Sequence, residues 1–279
     1  MDRSLNLKAG IVSLLLLAVL LLGWHIATLS KAATPKAGVS AEYAALMGGG
    51  QHQARMPTPS QVGKTFVEQI SDPFYDNGPN DKGIGIQLSY SLARVLTGFF
   101  LGALVAIPLG FLMGMSPVMQ KALNPYVQLL KPISPLAWMP LALYTIKDSS
   151  MSAIFVIFIC SLWPMLINTA YGVASVKREW LNVAKTLEVS PLRTALQVIL
   201  PAAAPTIVTG MRISMGIAWL VIVAAEMLVG GTGIGYFVWN EWNNLSITNV
   251  IFAILTIGLV GVVLDLVFGA LQKVVTYRE

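Results

Sequence analysis

Four ionisable side chains, Arg94, Arg212, Glu226 and Asp265, stand inside long apolar runs of the sequence. If those runs cross a bilayer, each charge is expensive and must face a partner or a wet cavity. With the chain reversing direction from run to run, Arg212 and Asp265 fall nearer one side of the membrane, and Arg94 and Glu226 nearer the other. Two internal ion pairs are one reading of this pattern; a direct role in carrying a charged solute is the other. Gly63, Lys64 and Thr65 repeat the tail of a phosphate-binding loop, yet Thr58 stands where that motif needs its first glycine, and no apolar strand precedes it. The stretch 59–70 reads instead as an amphipathic segment. His25 and His52 are far apart and in no metal-ligand spacing, and His25 is most simply an interfacial residue ending the first apolar run. The single cysteine, Cys160, sits within an apolar run, so there is no disulfide framework and no thiol metal site, and it reads as a packing residue.

The apolar runs dominate the chain: 56% of its 279 residues are hydrophobic and only 11% charged, which no ordinary soluble domain shows. The sequence is that of an integral membrane protein. Its Lys and Arg residues cluster at the ends of apolar runs, where they set orientation, and no interleaved basic and aromatic pattern points to nucleic acid. After Arg3 and Lys8, residues 9–30 are long enough for one helical crossing. A cleaved signal peptide is the alternative, since Ala32 and Ala33 follow, but this apolar core exceeds the usual length of about 7 to 15 residues. Residues 31–86 mix charges with Pro, Asn and Gly clusters and read as an external loop containing the amphipathic segment.

Further crossings are expected at 88–115, 124–146, 151–173, 203–229 and 250–271, which makes six with both ends on the cytoplasmic side. Gly98, Gly102, Ala106, Gly110 and Gly114 form a small-residue stripe on the second, suited either to packing within the chain or to a homodimer seam. Pro108 should kink that helix. Pro132, Pro135 and Pro140 interrupt the third. Irregular backbone at membrane depth survives only where it is buried in protein or lines a water-filled cavity, so KPISPLAWMPLAL is the first candidate for a pathway lining. The glycine-rich and aromatic GGTGIGYFVWNEWNN reads as an external turn or short interfacial helix.

Between the fourth and fifth crossings lies KREWLNVAKTLEVSPLRTALQVILP, residues 177–201, the one place where charges crowd together. Leu181, Ala184, Leu187 and Val189 recur roughly at helical spacing, so its first half reads as an amphipathic surface helix, broken by Pro191. A second short helical turn is expected from Thr194 to Leu200, with Pro201 and Pro205 opening the fifth crossing. Two short helices joined by a turn on the cytoplasmic side could grip a soluble partner.

This stretch resembles the docking signature of the membrane permease subunits of bacterial ABC importers: E-A-A, three residues, G, nine residues, I-x-L-P. Asn182, Val183 and Glu188 replace the usual Glu, Ala and Gly, while Ala184 and the ending at Leu200 and Pro201 are kept. Over about two-thirds of the chain, SLARVLTGFFLGALVAIPLGFLMG, LLKPISPLAWMPLALY, INTAYGV and GMRISMGIAWLVIVAAEMLVGGTGIGYFVWN are similar to the subgroup importing nitrate and nitrite, bicarbonate, cyanate, taurine or alkanesulfonates. The run from Ala218 onward looks most like the cyanobacterial nitrate and bicarbonate permeases.

The resemblance implies an all-α, MetI-like type I permease in a bacterial, cyanobacterial-type inner membrane. Together with the residue reading above, it gives an expected layout of an anchor helix at 1–30, an external loop at 31–86, a five-helix core at 87–273 with coupling helices at 177–201, and a cytoplasmic tail at 274–279. It also implies a partnership of two copies of the chain with two ATPase subunits, an external binding protein or lipoprotein, and membrane lipid. The chain itself has no complete phosphate-binding loop and would be no enzyme, so ATP and Mg would be held by the ATPases and no cofactor by this chain. Asn182, Ala184, Lys185, Glu188, Ser190, Pro191, Leu200 and Pro201 would form the coupling surface. For a monovalent oxyanion, which must exchange water for donors or positive charge, Lys131 or Arg212 could serve. A pathway lined mostly by neutral groups, among them Ser134, Trp138, Met139, Asn168 and Trp219, is preferred, leaving Arg212 and Glu226 as packing or gating candidates. Nitrate and nitrite come first as cargo, bicarbonate second, sulfonates third. From another class, an ion-driven carrier would use Glu226 or Asp265 as a proton relay and need no ATPase.

Overall fold

The computed structural model describes residues 3–28 and 56–275. His52, the first part of the expected external loop and Arg278 in the tail lie outside the described residues. Described helix α1, Arg3–Thr28, is the apolar first run with its side chains exposed along the crossing. The Trp24 indole near its end donates to the Pro57 carbonyl at 3.1 Å. Helix α2, Pro59–Ser71, is the amphipathic segment. Thr58 closes a capping box with Gln61, Pro59 takes the first turn where its missing N–H costs nothing, and Phe66 packs edge-on to Phe252 at 5.3 Å. Gly63 and Lys64 are therefore helical residues, not a phosphate loop.

Helices α3 (Ile84–Met115) and α6 (Ser149–Ala174) form the centre of the protein, and the small-residue stripe explains why. A Cβ on Gly98 would lie 2.7 Å from the Ile154 carbonyl oxygen, and one on Gly110 2.7 Å from the Leu166 carbonyl oxygen. The stripe thus lets two backbones touch within one chain. Because the contacts advance in step from Gly98 to Gly114 on one helix and from Ile154 to Val173 on the other, the two helices run parallel.

Parallel neighbours impose a return. Arg94 of α3 donates to Ser150 at the start of α6, so the chain between Ser116 and Asp148 must travel back along about 35 Å of helix. That segment is the sequence-expected third crossing, but it is no single helix. It comprises α4 (Pro117–Leu130), an irregular stretch at 131–134, a 3-10 turn (Pro135–Trp138) and α5 (Met139–Ile146). The prolines account for the breaks, and Pro125 is carried inside α4. Among the described residues five helices are long and apolar enough to span a membrane, and this broken segment supplies the further traverse. Lys147, at φ 57, ends α5, and Asp148 caps α6 by accepting from Met151 N at 2.7 Å.

Beyond α6 come α7 (Arg178–Thr186), α8 (Pro191–Thr194), a π-helical turn (Ala195–Ile199), α9 (Leu200–Val229), α10 (Ile234–Asn243) and α11 (Ile247–Val275). Helix α9 runs antiparallel to α6, with Gly172 against Ala203 and the Ser214 hydroxyl donating to the Ser161 carbonyl at 2.7 Å. Helix α11 runs antiparallel to α9, tied by Trp219 Nε1 to the Ile257 carbonyl at 3.0 Å and by Gln272 to Thr209 at 2.9 Å. The buried core, with Phe99, Ala106, Val156, Met165, Met215 and Ile222, lies where α3, α6 and α9 meet. Helix α7 sits at the end of the bundle where α3 and α6 finish, and α10 sits at the opposite end.

The second docking helix differs from expectation. It is not separate: α8, the π turn and α9 form one continuous rod from Pro191 to Val229. Pro191 occupies the first turn of a helix, where it initiates rather than breaks. Pro201 would clash with the carbonyl of Gln197 in a regular α-helix, and the widened turn around Gln197, closed by Leu200 N to the Ala195 carbonyl, accommodates it.

Candidate functional site

The docking stretch forms from the end of α7. Val189 N donates to the Ala184 carbonyl and Glu188 N to the Lys185 carbonyl, both at 3.0 Å, which is the paired closure of a Schellman motif. That motif demands a left-handed residue after the cap, and Glu188 holds φ 52. Glycine adopts this conformation without a Cβ penalty, which gives the signature's usual glycine a physical basis and leaves Glu188 strained. Ala184 is buried at the root of the helix, while Trp180, Val183 and Leu187 are exposed on it, with Leu192 and Leu196 exposed on the rod that follows. Thr194 N donates to the Ser190 carbonyl at 2.9 Å to start that rod. Lys185 and Pro191 line one cleft of about 550 Å³ between α7 and the ends of α3 and α6. Asn182 is exposed, its carbonyl accepting from the Thr186 hydroxyl at 3.0 Å. Leu200 and Pro201 open α9 directly beneath the π turn.

At the opposite end, Glu226 is almost wholly buried and collects donors from three directions. Arg94 Nη1 lies 2.8 Å from its Oε1, the Ser91 hydroxyl donates at 2.8–2.9 Å, and Gly235 N donates to Oε2 at 3.0 Å. The first turn of α10 thus presents its free N–H groups and dipole to a carboxylate. Arg94 is itself shared, donating to Ser150 and to the Thr232 carbonyl at 2.6 Å. Gln87 receives Gly233 N at 2.6 Å. A Cβ on Gly233 would overlap the Glu226 carboxyl group, so the loop closes only with glycine there. The cage welds α3, α6, α9 and α10 together. Sequence reasoning singled out Arg94 and Glu226 but missed Gln87 and Ser91. Their signal was present: Gln87, Ser91 and Arg94 fall four and three apart, a polar stripe on one face of an apolar helix.

Arg212 and Asp265 also pair, in fork geometry, with Nε to Oδ1 at 2.6 Å and Nη2 to Oδ2 at 2.5 Å. Gln272 accepts from Arg212 at 3.3 Å. Unlike the Glu226 cage, this pair opens into a cavity lined also by Gly269 and Lys273.

The remaining sequence candidates separate. Lys131 and Asn168 line one cavity of about 420 Å³ with Trp163, Pro164, Ile213 and Ile217. Ser134 is exposed on the broken segment, and Trp138 is half-buried with its indole nitrogen lacking a partner. Met139 is buried in the core, and Trp219 is buried as the brace between α9 and α11. The candidates therefore do not form one constellation, and the cavity collects only two of them.

Comparison with known proteins places this arrangement. The family described as "Binding-protein-dependent transport system inner membrane component" matches residues 106–278. The nitrate import permease protein NrtB of Synechocystis sp. is 45% identical over 226 residues, 81% of this chain and 82% of that protein. The bicarbonate transport system permease protein CmpB of Synechocystis sp. is 45% identical over 204 residues, 73% of each chain. Among solved structures, an inward-facing conformation of the MetNI methionine ABC transporter shares the fold, with TM-score 0.61 and 14% identity over 68% of this chain and 95% of that one.

Proposed function

Because this chain belongs to the family of binding-protein-dependent transport system inner membrane components and is an ABC importer permease, we propose that it carries nitrate and nitrite inward. Two copies enclose the pathway, two ATPases bind on the α7 side, and an external binding protein delivers the anion. The α7 side is cytoplasmic in this reading, since Lys121, Lys177, Lys185 and Lys273 gather there, and the Arg3 end of α1 and the Val275 end of α11 share it.

One observation carries the coupling role: the rod from Pro191 to Val229 begins at the docking turn and ends at the Glu226 cage. A push on α7 and α8 reaches the far side through one continuous helix. Since the cage welds α3, α6, α9 and α10 into a block, closure of the ATPases rocks each copy as a body and opens the passage between copies. Nitrate is favoured because nitrate permeases of two organisms match at 45% and 46% identity over 226 and 221 residues, against 43% over 225 and 45% over 204 for bicarbonate permeases of two organisms, the second from Synechocystis sp.. Bicarbonate is the second reading, supported by the equal identity of that relative. Uptake of labelled nitrate by vesicles containing the full complex tests the choice. Saturable nitrate uptake resistant to excess bicarbonate is expected; uptake abolished by bicarbonate, or ATP hydrolysis indifferent to nitrate, overturns it.

A further inference from the structure

Arg94 and Arg212 each meet a carboxylate within the apolar bundle. Lys131 does not: among the described residues no carboxylate and no hydrogen-bond acceptor reaches its ammonium. Lys131 is itself exposed, yet its position is unusual for a lone cation, because the cavity it lines is walled by Cys160 and Pro164, near the middle of the 26-residue α6, and by Asn168 one turn further on. A charge at that depth demands water or a counter-ion. The irregular stretch at 131–134 supplies the opening, since backbone outside a regular helix at membrane depth requires a protein or wet surround.

The cavity chemistry selects the sign of its visitor. Its lining holds one ammonium and no carboxylate. Asn168 Nδ2 donates to the Pro164 carbonyl at 2.8 Å, which leaves its second N–H available. The rest of the wall, Trp163, Ile213 and Ile217 among it, is apolar and offers an anion no competing acceptor side chain. At about 420 Å³ the space holds roughly a dozen waters at about 30 Å³ each, enough for a small oxyanion with much of its hydration shell. A single ammonium on a flexible stem gives a weak and exchangeable contact, unlike the fork by which Arg212 holds Asp265.

We infer that Lys131, assisted by Asn168, is the transient contact for a small monovalent oxyanion midway through the membrane. The inference rests on the anion-import reading above and adds the residue that lowers the cost of crossing. It makes Lys131 a determinant of how anion concentration drives transport, and leaves the docking of the ATPases untouched.

The test uses the assembled complex in vesicles. Lys131→Met should raise the half-saturating anion concentration about tenfold, the worth of one charge-assisted contact, with basal ATP hydrolysis unchanged. Lys131→Arg should stay near wild type. Lys131→Cys, in a Cys160→Ser background, should lose transport like Lys131→Met and regain it when an aminoethyl methanethiosulfonate restores an ammonium, but not when a sulfonatoethyl reagent adds an anion. Lys131→Met treated alike controls for cysteines of the ATPases. If the wild type moves anion while Lys131→Met shows the same concentration dependence, or if the two adducts behave alike, the role of Lys131 is overturned and the import reading survives. A wild-type complex that moves neither nitrate nor bicarbonate overturns both.

Discussion

Replacing Glu226 with Gln keeps the shape of the buried cage and removes its charge, which makes the cost calculable. The carboxylate receives Arg94, the Ser91 hydroxyl and Gly235 N, all within 3.0 Å. A glutamine oxygen keeps one or two of those bonds, but its NH2 faces donors and leaves the Arg94 guanidinium buried without its counter-charge. Breaking one partner of a buried pair costs about 3–5 kcal/mol. For a bundle of this size each kcal/mol is worth roughly 2–4 °C, so the melting temperature of the detergent-purified protein should fall by about 10 °C. Arg94→Met should cost a similar amount by stranding the carboxylate. The double variant should fall well short of the summed losses, by about 0.5–3 kcal/mol of coupling, because neither charge is then left alone. Melting shifts under about 2 °C for both single variants, or strict additivity in the pair, would refute the cage as the weld of α3, α6, α9 and α10.

Particular positions set three further outcomes. Glu188→Gly relieves a left-handed residue of about 1 kcal/mol, so amide exchange at Glu188 and Val189 should slow and coupling should be retained; faster exchange there would contradict the Schellman geometry. Gly98→Ala drives a methyl to 2.7 Å from the Ile154 carbonyl and should destabilise the α3–α6 seam by about 1–3 kcal/mol, read as a lowered melting temperature, whereas Gly216→Ala, with open space around it, should be neutral. The hydrogen bond from Lys82, helped by Gly78 N, holds the Asp76 carboxyl below its ordinary range. Because the folded value is the lower one, the bridge between Asp76 and Lys82 should be intact at neutral pH and be lost as pH falls through it; slowed amide exchange in the 76–82 loop should vanish only in acid, and Asp76→Asn should abolish that dependence.

Much of this architecture was legible because its physics is local. Long apolar runs marked the spans, alternation of direction brought Arg94 beside Glu226 and Arg212 beside Asp265, and the four-residue spacing from Gly98 to Gly114 announced a close helix contact. What the spacing could not say was which helix would be met, since a stripe reads the same against α6 as against a second copy. Pro191 misled for a clear reason: proline stops a helix from within but starts one from its first turn, and only the backbone tells the two apart. Pro201 does open α9 as expected, yet the π turn before it keeps the rod continuous. Glu188 hid the docking motif, since its identity argues against the left-handed backbone it adopts. Gln87 and Ser91 went unnoticed because their role depends on the glycine loop at 230–235, whose N–H groups fold onto them and Glu226.

Coupling requires that a push at α7 drive an anion across. Vesicles holding this chain, its ATPases and the external binding protein should accumulate labelled nitrate only while ATP is hydrolysed, and uptake should cease with a hydrolysis-deficient ATPase or a charged bulky residue in place of Ala184. Nitrate accumulation by this chain alone, driven by a proton gradient without any ATPase, would contradict it.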